Sequence, residues 1–69
     1  MERKPVTSSN IASIGYDKDT QTLEVEFKNN TVFQYFGFEE SKFTEFYDAQ
    51  SSGYYFHNFI KGQYSSKKL

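Results

Sequence analysis

The residues with the most chemical potential lie after Gly53. Tyr54, Tyr55 and Tyr64 alternate there with Lys61, Lys67 and Lys68, and no Asp or Glu follows Gly53. Aromatic rings stack on nucleobases and lysines pair with phosphates, so this mixture suits single-stranded nucleic acid. Three lysines release few counterions, so binding of this kind is weak and salt-sensitive. Residues 17–48 carry the opposite balance, with Asp17, Asp19, Glu24, Glu26, Glu39, Glu40, Glu45 and Asp48 against Lys18, Lys28 and Lys42. The net charge of the chain is −1, which argues against a general polyanion binder.

Catalysis finds little material. His57 is the only histidine, which excludes a multi-histidine metal site within one chain. Its place in an aromatic stretch suits a half-exposed, hydrogen-bonding residue. Glu24 and Glu26 are two apart and could form an acid pair, but a strand with one wet side carries such residues routinely. The four glycines are isolated, so no phosphate-binding loop is present, and no serine nucleophile motif is present either. We expect no catalytic residues, no metal and no cofactor.

The elements that position these residues follow from hydrophobic spacing. In TLEVEFKNNTVFQYF, from Thr22 to Phe36, Leu23, Val25 and Phe27 alternate with polar residues, and Phe33 and Tyr35 resume the alternation. The stretch is a β-hairpin whose register depends on its turn. A two-residue turn at Asn29-Asn30 would set Phe33 and Tyr35 over the two glutamates. A three-residue loop, Lys28-Asn29-Asn30 with Asn30 left-handed, pairs Phe27 with Thr31 and Val25 with Phe33. Only the longer loop unites Leu23, Val25, Phe27, Phe33 and Tyr35 on one face, leaving Glu24, Glu26 and Gln34 on the other. Ile11 to Tyr16 supplies an earlier strand, in which Gly15 suggests a bulge or a close backbone approach.

After Gly37 the period lengthens. Glu39 to Gln50 reads as a helix with Phe43, Phe46 and Tyr47 on one face and Glu39 and Glu40 in its first turn. Phe38 is placed to staple back onto Phe43 or Phe46. A second helix runs from Gly53 or Tyr54 to Lys61, capped by Ser52, with Tyr55, Phe56, Phe59 and Ile60 on its apolar side and a left-handed Gly62 after it. The order gives an α+β domain: a three-stranded antiparallel β-meander followed by two helices packed on one sheet face. The chain is one domain over residues 1–69, with residues 1–9 and 65–69 expected to be flexible.

Eight Phe and six Tyr stand against three Ile, two Leu and three Val, so most of the rings are needed inside. There is no cysteine, no apolar run approaching the ~20 residues that span a bilayer, and no signal-peptide core in MERKPVTSSN. These features suit a cytoplasmic protein in a reducing compartment.

NIASIGYD, TLEVEF, the Asn turn, Phe33-Gln34-Tyr35, and then SSGYYFHNFIKGQY resemble the KTSC domain over about residues 6–64. That small family takes its name from the C-terminus of some lysyl-tRNA synthetases and also occurs as free-standing bacterial and phage proteins. Its Y-x-Y signature corresponds to Phe33-Gln34-Tyr35, with phenylalanine in the first place. The C-terminal frame is kept as Ser51, Gly53, Tyr55, Phe56, Ile60, Lys61, Gly62 and Tyr64. Tyr54, His57, Asn58 and Gln63 stand among these where typical members intersperse arginines and an asparagine. The resemblance implies the fold above and, through the synthetase context, RNA as a partner.

The residues and the resemblance together give a small non-catalytic binding module, with RNA or another single-stranded nucleic acid held by Tyr54, Lys61, Tyr64, Lys67 and Lys68. The alternative is a protein-interaction or adaptor module, phage-encoded in one version, that uses a sheet edge or the Glu24/Glu26/Gln34 face.

Overall fold

The computed structural model describes residues 1–69. Five antiparallel strands form one sheet in chain order: β1 (Arg3–Pro5), β2 (Ile11–Asp17), β3 (Thr22–Phe27), β4 (Val32–Phe36) and β5 (Ser66–Lys68). Two helices, α1 (Glu40–Asp48) and α2 (Ser52–Phe59), lie between β4 and β5. The α+β class and the central meander are as expected, but the sheet has five strands where the sequence predicts three. Both extra strands come from the ends expected to be flexible. Every residue of β1 and β5 is exposed, so neither strand carries an apolar alternation that periodicity could detect. Backbone pairing to β2 and β4 makes them strands.

The hairpin adopts the longer loop. Phe27 N–H donates to the Thr31 carbonyl at 2.8 Å, Asn30 has φ of 70°, and Val25 pairs with Phe33 and Leu23 with Tyr35. Asn29 supports the turn by accepting from the Thr31 amide and hydroxyl at 3.2 and 2.6 Å. The bulge in β2 falls between Ile11 and Ser13, rather than at Gly15. In a regular strand Ile11 and Ile14, an odd three residues apart, would point to opposite faces. The extra residue restores phase, and both isoleucines are fully buried.

Gly15 serves the other role suggested for it, a close approach. A Cβ there would lie 2.8 Å from the Glu2 carbonyl oxygen and 3.0 Å from Arg3 Cγ. Arg3, opposite Gly15 in the ladder, lies across it and reaches Glu24 Oε2 at 3.1 Å. Glu24 Oε1 accepts from Gln34 Nε2 at 3.0 Å, and Glu26 Oε1 accepts from the Ser13 hydroxyl at 2.8 Å.

The opposite face of the sheet carries the core. Ile11, Ile14, Leu23, Val25 and Tyr35 form one buried cluster with Phe38, Phe46, Phe56 and Ile60. Of the aromatic residues expected on α1, Phe46 is buried, Phe43 is half-buried, and Tyr47 lies outside with Lys4 Nζ 5.6 Å from its ring centroid. Phe38 packs edge-on to Tyr16 and Tyr64 and shares the buried cluster with Phe46 of α1, so its contacts extend to the sheet and the tail. Phe56 of α2 and Ile60, which caps its end, are buried, but Phe59 is 53% exposed. This helix begins one or two residues earlier than expected, at Ser52, and ends at Phe59 rather than Lys61. Ser51, rather than Ser52, caps it by accepting from the Tyr54 amide at 3.2 Å, and Ser52 is buried. Tyr55 ties the helices together by donating its hydroxyl to Glu45 Oε1 at 2.9 Å.

Gly15→Ala should lose about 1–3 kcal/mol in urea unfolding, because a backbone carbonyl blocks the new methyl and β1 must shift. Arg3→Ala, which removes only a partly exposed ion pair, should lose under about 1 kcal/mol. Burial, reinforced by the bond to Glu45, pushes the Tyr55 hydroxyl from 10.0 up to about 12. The unfolded chain releases that proton first, so the stabilisation is intact below 10.0 and lost as pH rises to about 12. Tyr55→Phe should therefore cost about 0.5–1.5 kcal/mol at neutral pH and lose less on alkalinisation than the parent. Burial also raises Tyr16 and Tyr35, so some alkaline slope remains in the variant. Urea midpoints measured across the alkaline range check this.

Candidate nucleic-acid interface

Three surface concavities are present, and their charge separates them. The largest, about 540 Å³, is lined by Met1, Glu2, Lys4, Tyr16, Asp17, Lys18, Glu40 and Phe43, with both signs of charge intermixed. A second, of about 300 Å³, runs between Pro5–Thr7 and the end of α1 and has no charged lining. The third, about 380 Å³, has an aromatic floor of Phe27, Phe33, Tyr35 and Phe56, with Asn10, Lys61, Gly62 and Ser66 around it. Only this last groove combines aromatic rings with a cation and no acid. Size alone would favour the first, but its mixed charge selects neither anions nor cations.

The groove follows from the local folding. Phe27 and Phe33 meet edge-on with centroids 6.0 Å apart because the three-residue loop puts them on the same side of the hairpin. Phe56 of α2 meets Phe27 and Tyr35 edge-on at 5.3 and 5.6 Å. α2 can come this close because residue 53 is glycine; a Cβ there would stand 3.1 Å from Asn10 Oδ1. After α2, the Ile60 and Lys61 amides both donate to the Phe56 carbonyl, and Gly62, with φ of 77°, turns the chain toward β5. That turn leaves Lys61 exposed at the groove.

The five residues expected to bind nucleic acid are not gathered into one patch. Lys61 lines the groove, and Lys68 pairs with Phe33 in the β4–β5 ladder, which sets it on the groove side of the sheet. Lys67 pairs with Gln34, whose side chain bonds Glu24, and so belongs to the opposite face. Tyr64 is half-buried with its ring edge-on to Phe38 at 5.1 Å, which makes it part of the packing. Tyr54 is 65% exposed on α2 but does not line the groove. Of the groove residues only Lys61 is expected from the sequence as a site residue; Asn10, Phe27, Phe33, Tyr35, Phe56, Gly62 and Ser66 are not. The alternation shows the rings of Phe27 and Phe33 pointing inward, but not that the sheet extends past its helical cover.

Arg3–Glu24 is the one ion pair, so Lys61 and Lys68 are unneutralised cations. Lys61 also stands out within the C-terminal frame. Ser51 caps α2, Gly53 permits close approach to Asn10, Phe56 and Ile60 fill the core, and Tyr55 and Tyr64 anchor α1 and Phe38. Lys61 makes no such contribution. His57 is exposed, and no group of three or more His, Cys, Asp or Glu is placed to hold a metal. No helix is long and apolar enough to cross a membrane. The alternative surfaces are altered as well. β1 and β5 cover the strands that would be the edges of a three-stranded sheet, and both carboxylates of the acidic face already accept hydrogen bonds.

Known proteins with the same features carry them over most of this chain. The KTSC domain family model matches residues 7–64. The crystal structure of a KTSC domain protein from Yersinia pestis superposes with a TM-score of 0.96 at 41% identity, covering 99% of this chain and 96% of that one. A lysine–tRNA ligase of Nostoc sp. is 39% identical over 59 residues, which are 86% of this chain but 10% of the ligase. The chain thus spans about a tenth of the ligases it matches. A protein of Stutzerimonas stutzeri is 33% identical over 64 residues and is covered over 90% of its length. With its family model, its fold and its curated relatives in agreement, the chain belongs to the KTSC domain family.

Proposed function

We propose that this KTSC domain is a non-catalytic module that binds single-stranded nucleic acid, RNA in particular, in the groove between Phe33 and the turn after α2. The observation that carries this reading is the composition of the groove, four aromatic rings beside an unpaired lysine with no acid, in a chain of net charge −1. Phe27 and Phe33, the half-buried pair among these rings, accept the face of any base over the buried Tyr35 and Phe56, and Lys61 and Lys68 supply the phosphate contacts. The relatives named lysine–tRNA ligase support RNA as the polymer, because they carry the same domain in a protein named for a tRNA. A solitary exposed histidine and the lack of a ligand cluster support binding over catalysis. A protein partner is the second reading, favoured by Tyr54 and Phe59, which stand 65% and 53% exposed on α2.

Fluorescence anisotropy with a labelled single-stranded RNA tests the proposal. Two phosphate contacts predict that log K falls against log salt with a slope of roughly −1.4, from about −0.7 per contact on a single strand. Lys61→Gln combined with Lys68→Gln should flatten that slope toward zero and weaken binding about tenfold at low salt. Lys67→Gln, on the other sheet face, should leave both nearly unchanged. Absence of binding at low salt with roughly 100 μM protein, the weak end of non-specific affinities, would overturn the reading. A host-lysate partner that survives nuclease treatment and is lost on Tyr54→Ala with Phe59→Ala would favour the second.

A further inference from the structure

Tyr35 is the groove residue whose chemistry the fold leaves unused. Its ring is 6% exposed, stacked on Phe33 at 6.3 Å and edge-on to Phe56 at 5.6 Å, which accounts for the ring but not for the hydroxyl. Tyr16 and Tyr55 donate their hydroxyls to the Phe38 carbonyl and to Glu45, whereas the Tyr35 hydroxyl has no hydrogen-bond partner in the chain. No fully enclosed side-chain polar atom in the protein lacks a partner. The Tyr35 hydroxyl therefore keeps some contact with solvent, and Tyr35 is one of the residues that line the groove. A phenylalanine would pack the same space without the cost of withdrawing a hydroxyl from water.

Asn10 supplies a second neutral donor. Its Oδ1 accepts from the Ser8 hydroxyl at 3.2 Å, in the turn that Ser8 builds by accepting from the Asn10 and Ile11 amides. Asn10 is exposed and lines the same groove, and its Nδ2 has no partner in the chain. The Gly62 amide and the Ser66 hydroxyl on the rim likewise bond to nothing within the chain. The groove thus sorts its functional groups: neutral hydrogen-bonding groups beside the aromatic floor, and Lys61 with the Gly62 amide on the turn. A flat heterocycle joined to an anion has the same division. A groove of about 380 Å³ falls in the size range of sites that hold one small ligand.

We propose that the groove takes a single nucleobase, with one face on Phe33 and its polar edge toward the Tyr35 hydroxyl and the Asn10 amide, so that the domain binds single strands with a base preference set by those two groups. This rests on the groove being a nucleic-acid site. Stacking alone tolerates every base, but a placed hydroxyl and amide favour the edge whose donors and acceptors complement them. Lys61 and the Gly62 amide then face the phosphate of the same nucleotide.

Short labelled oligoadenylate, oligocytidylate and oligouridylate, titrated at one low salt concentration against the parent and Tyr35→Phe, test the inference. The parent should prefer one of the three several-fold. Tyr35→Phe should lose roughly threefold to tenfold for the preferred oligomer and little for the others, the range expected for one hydrogen bond. Thermal unfolding of the variant establishes that the fold is retained. As a second readout, the nucleoside monophosphate of the preferred base should shift the NMR signals of Asn10, Phe33 and Tyr35 and leave Tyr54 unmoved. Equal affinity for all three oligomers, a preference unchanged in Tyr35→Phe, or shifts centred on Tyr54 would overturn base reading while leaving nucleic-acid binding in place. No binding to any oligomer would overturn both.

Discussion

The left-handed backbone at Asn30 is the constraint on which the rest of the molecule depends. Side chains alternate along a strand, so the length of one loop decides which face of β4 meets the core. With φ of 70° at Asn30, Phe27 closes on Thr31, and five apolar side chains from two strands fall on the same side. Were the loop one residue shorter, Phe33 and Tyr35 would sit over Glu24 and Glu26, and the helices would have no continuous apolar surface to cover. Asparagine suits that position because it tolerates the left-handed region at low cost. Asn29 completes the loop with hydrogen bonds to Thr31. The core, the groove and the polar outer face all inherit their composition from this turn.

A second device, the bulge in β2, does for the neighbouring strand what the loop does for the hairpin. Ile11 and Ile14 are three apart, an odd spacing that would normally separate them across the sheet. The extra residue brings both into the core. The outer face is organised by hydrogen bonds in place of burial. Arg3 reaches Glu24 across Gly15, and Glu24 is shared with Gln34. The two edges carry Arg3, Lys4 and Pro5 on one side and Lys67 and Lys68 on the other, residues that discourage pairing with another chain. Lys67 thus has a sheet-protecting role that needs no ligand, and Lys68 protects the same edge in addition to its place on the groove side.

What could be read from the sequence was what hydrophobic spacing controls. The hairpin register, the helical segments, the α+β class and the left-handed Gly62 all have a periodic or steric signature. The edge strands have none, because every side chain in them is exposed and the backbone alone forms the pairing. Helix limits moved by a residue or two for a similar reason. Ser51 and Ser52 are equivalent as cap candidates in sequence, and the tertiary fit of Ser52 into a buried position decides between them.

The site was less legible than the fold because adjacency along the chain is a poor guide to adjacency in space. Tyr54, Lys61, Tyr64, Lys67 and Lys68 look like a cluster only as text. Strand alternation sends Lys67 and Lys68 to opposite faces, the core claims Tyr64, and the helix turns Tyr54 away. The groove instead draws on Asn10, Phe27, Phe33, Phe56 and Lys61, which meet only after the sheet and α2 have packed. Tyr35 shows the difference most clearly. Its place in the inward alternation marks it as scaffold, and its ring is scaffold. The hydroxyl is the exception: it has no partner in the core around it, and Tyr35 also lines the groove. A residue can thus satisfy the packing pattern and still carry a functional atom, and only the hydrogen-bond inventory of the folded chain separates the two.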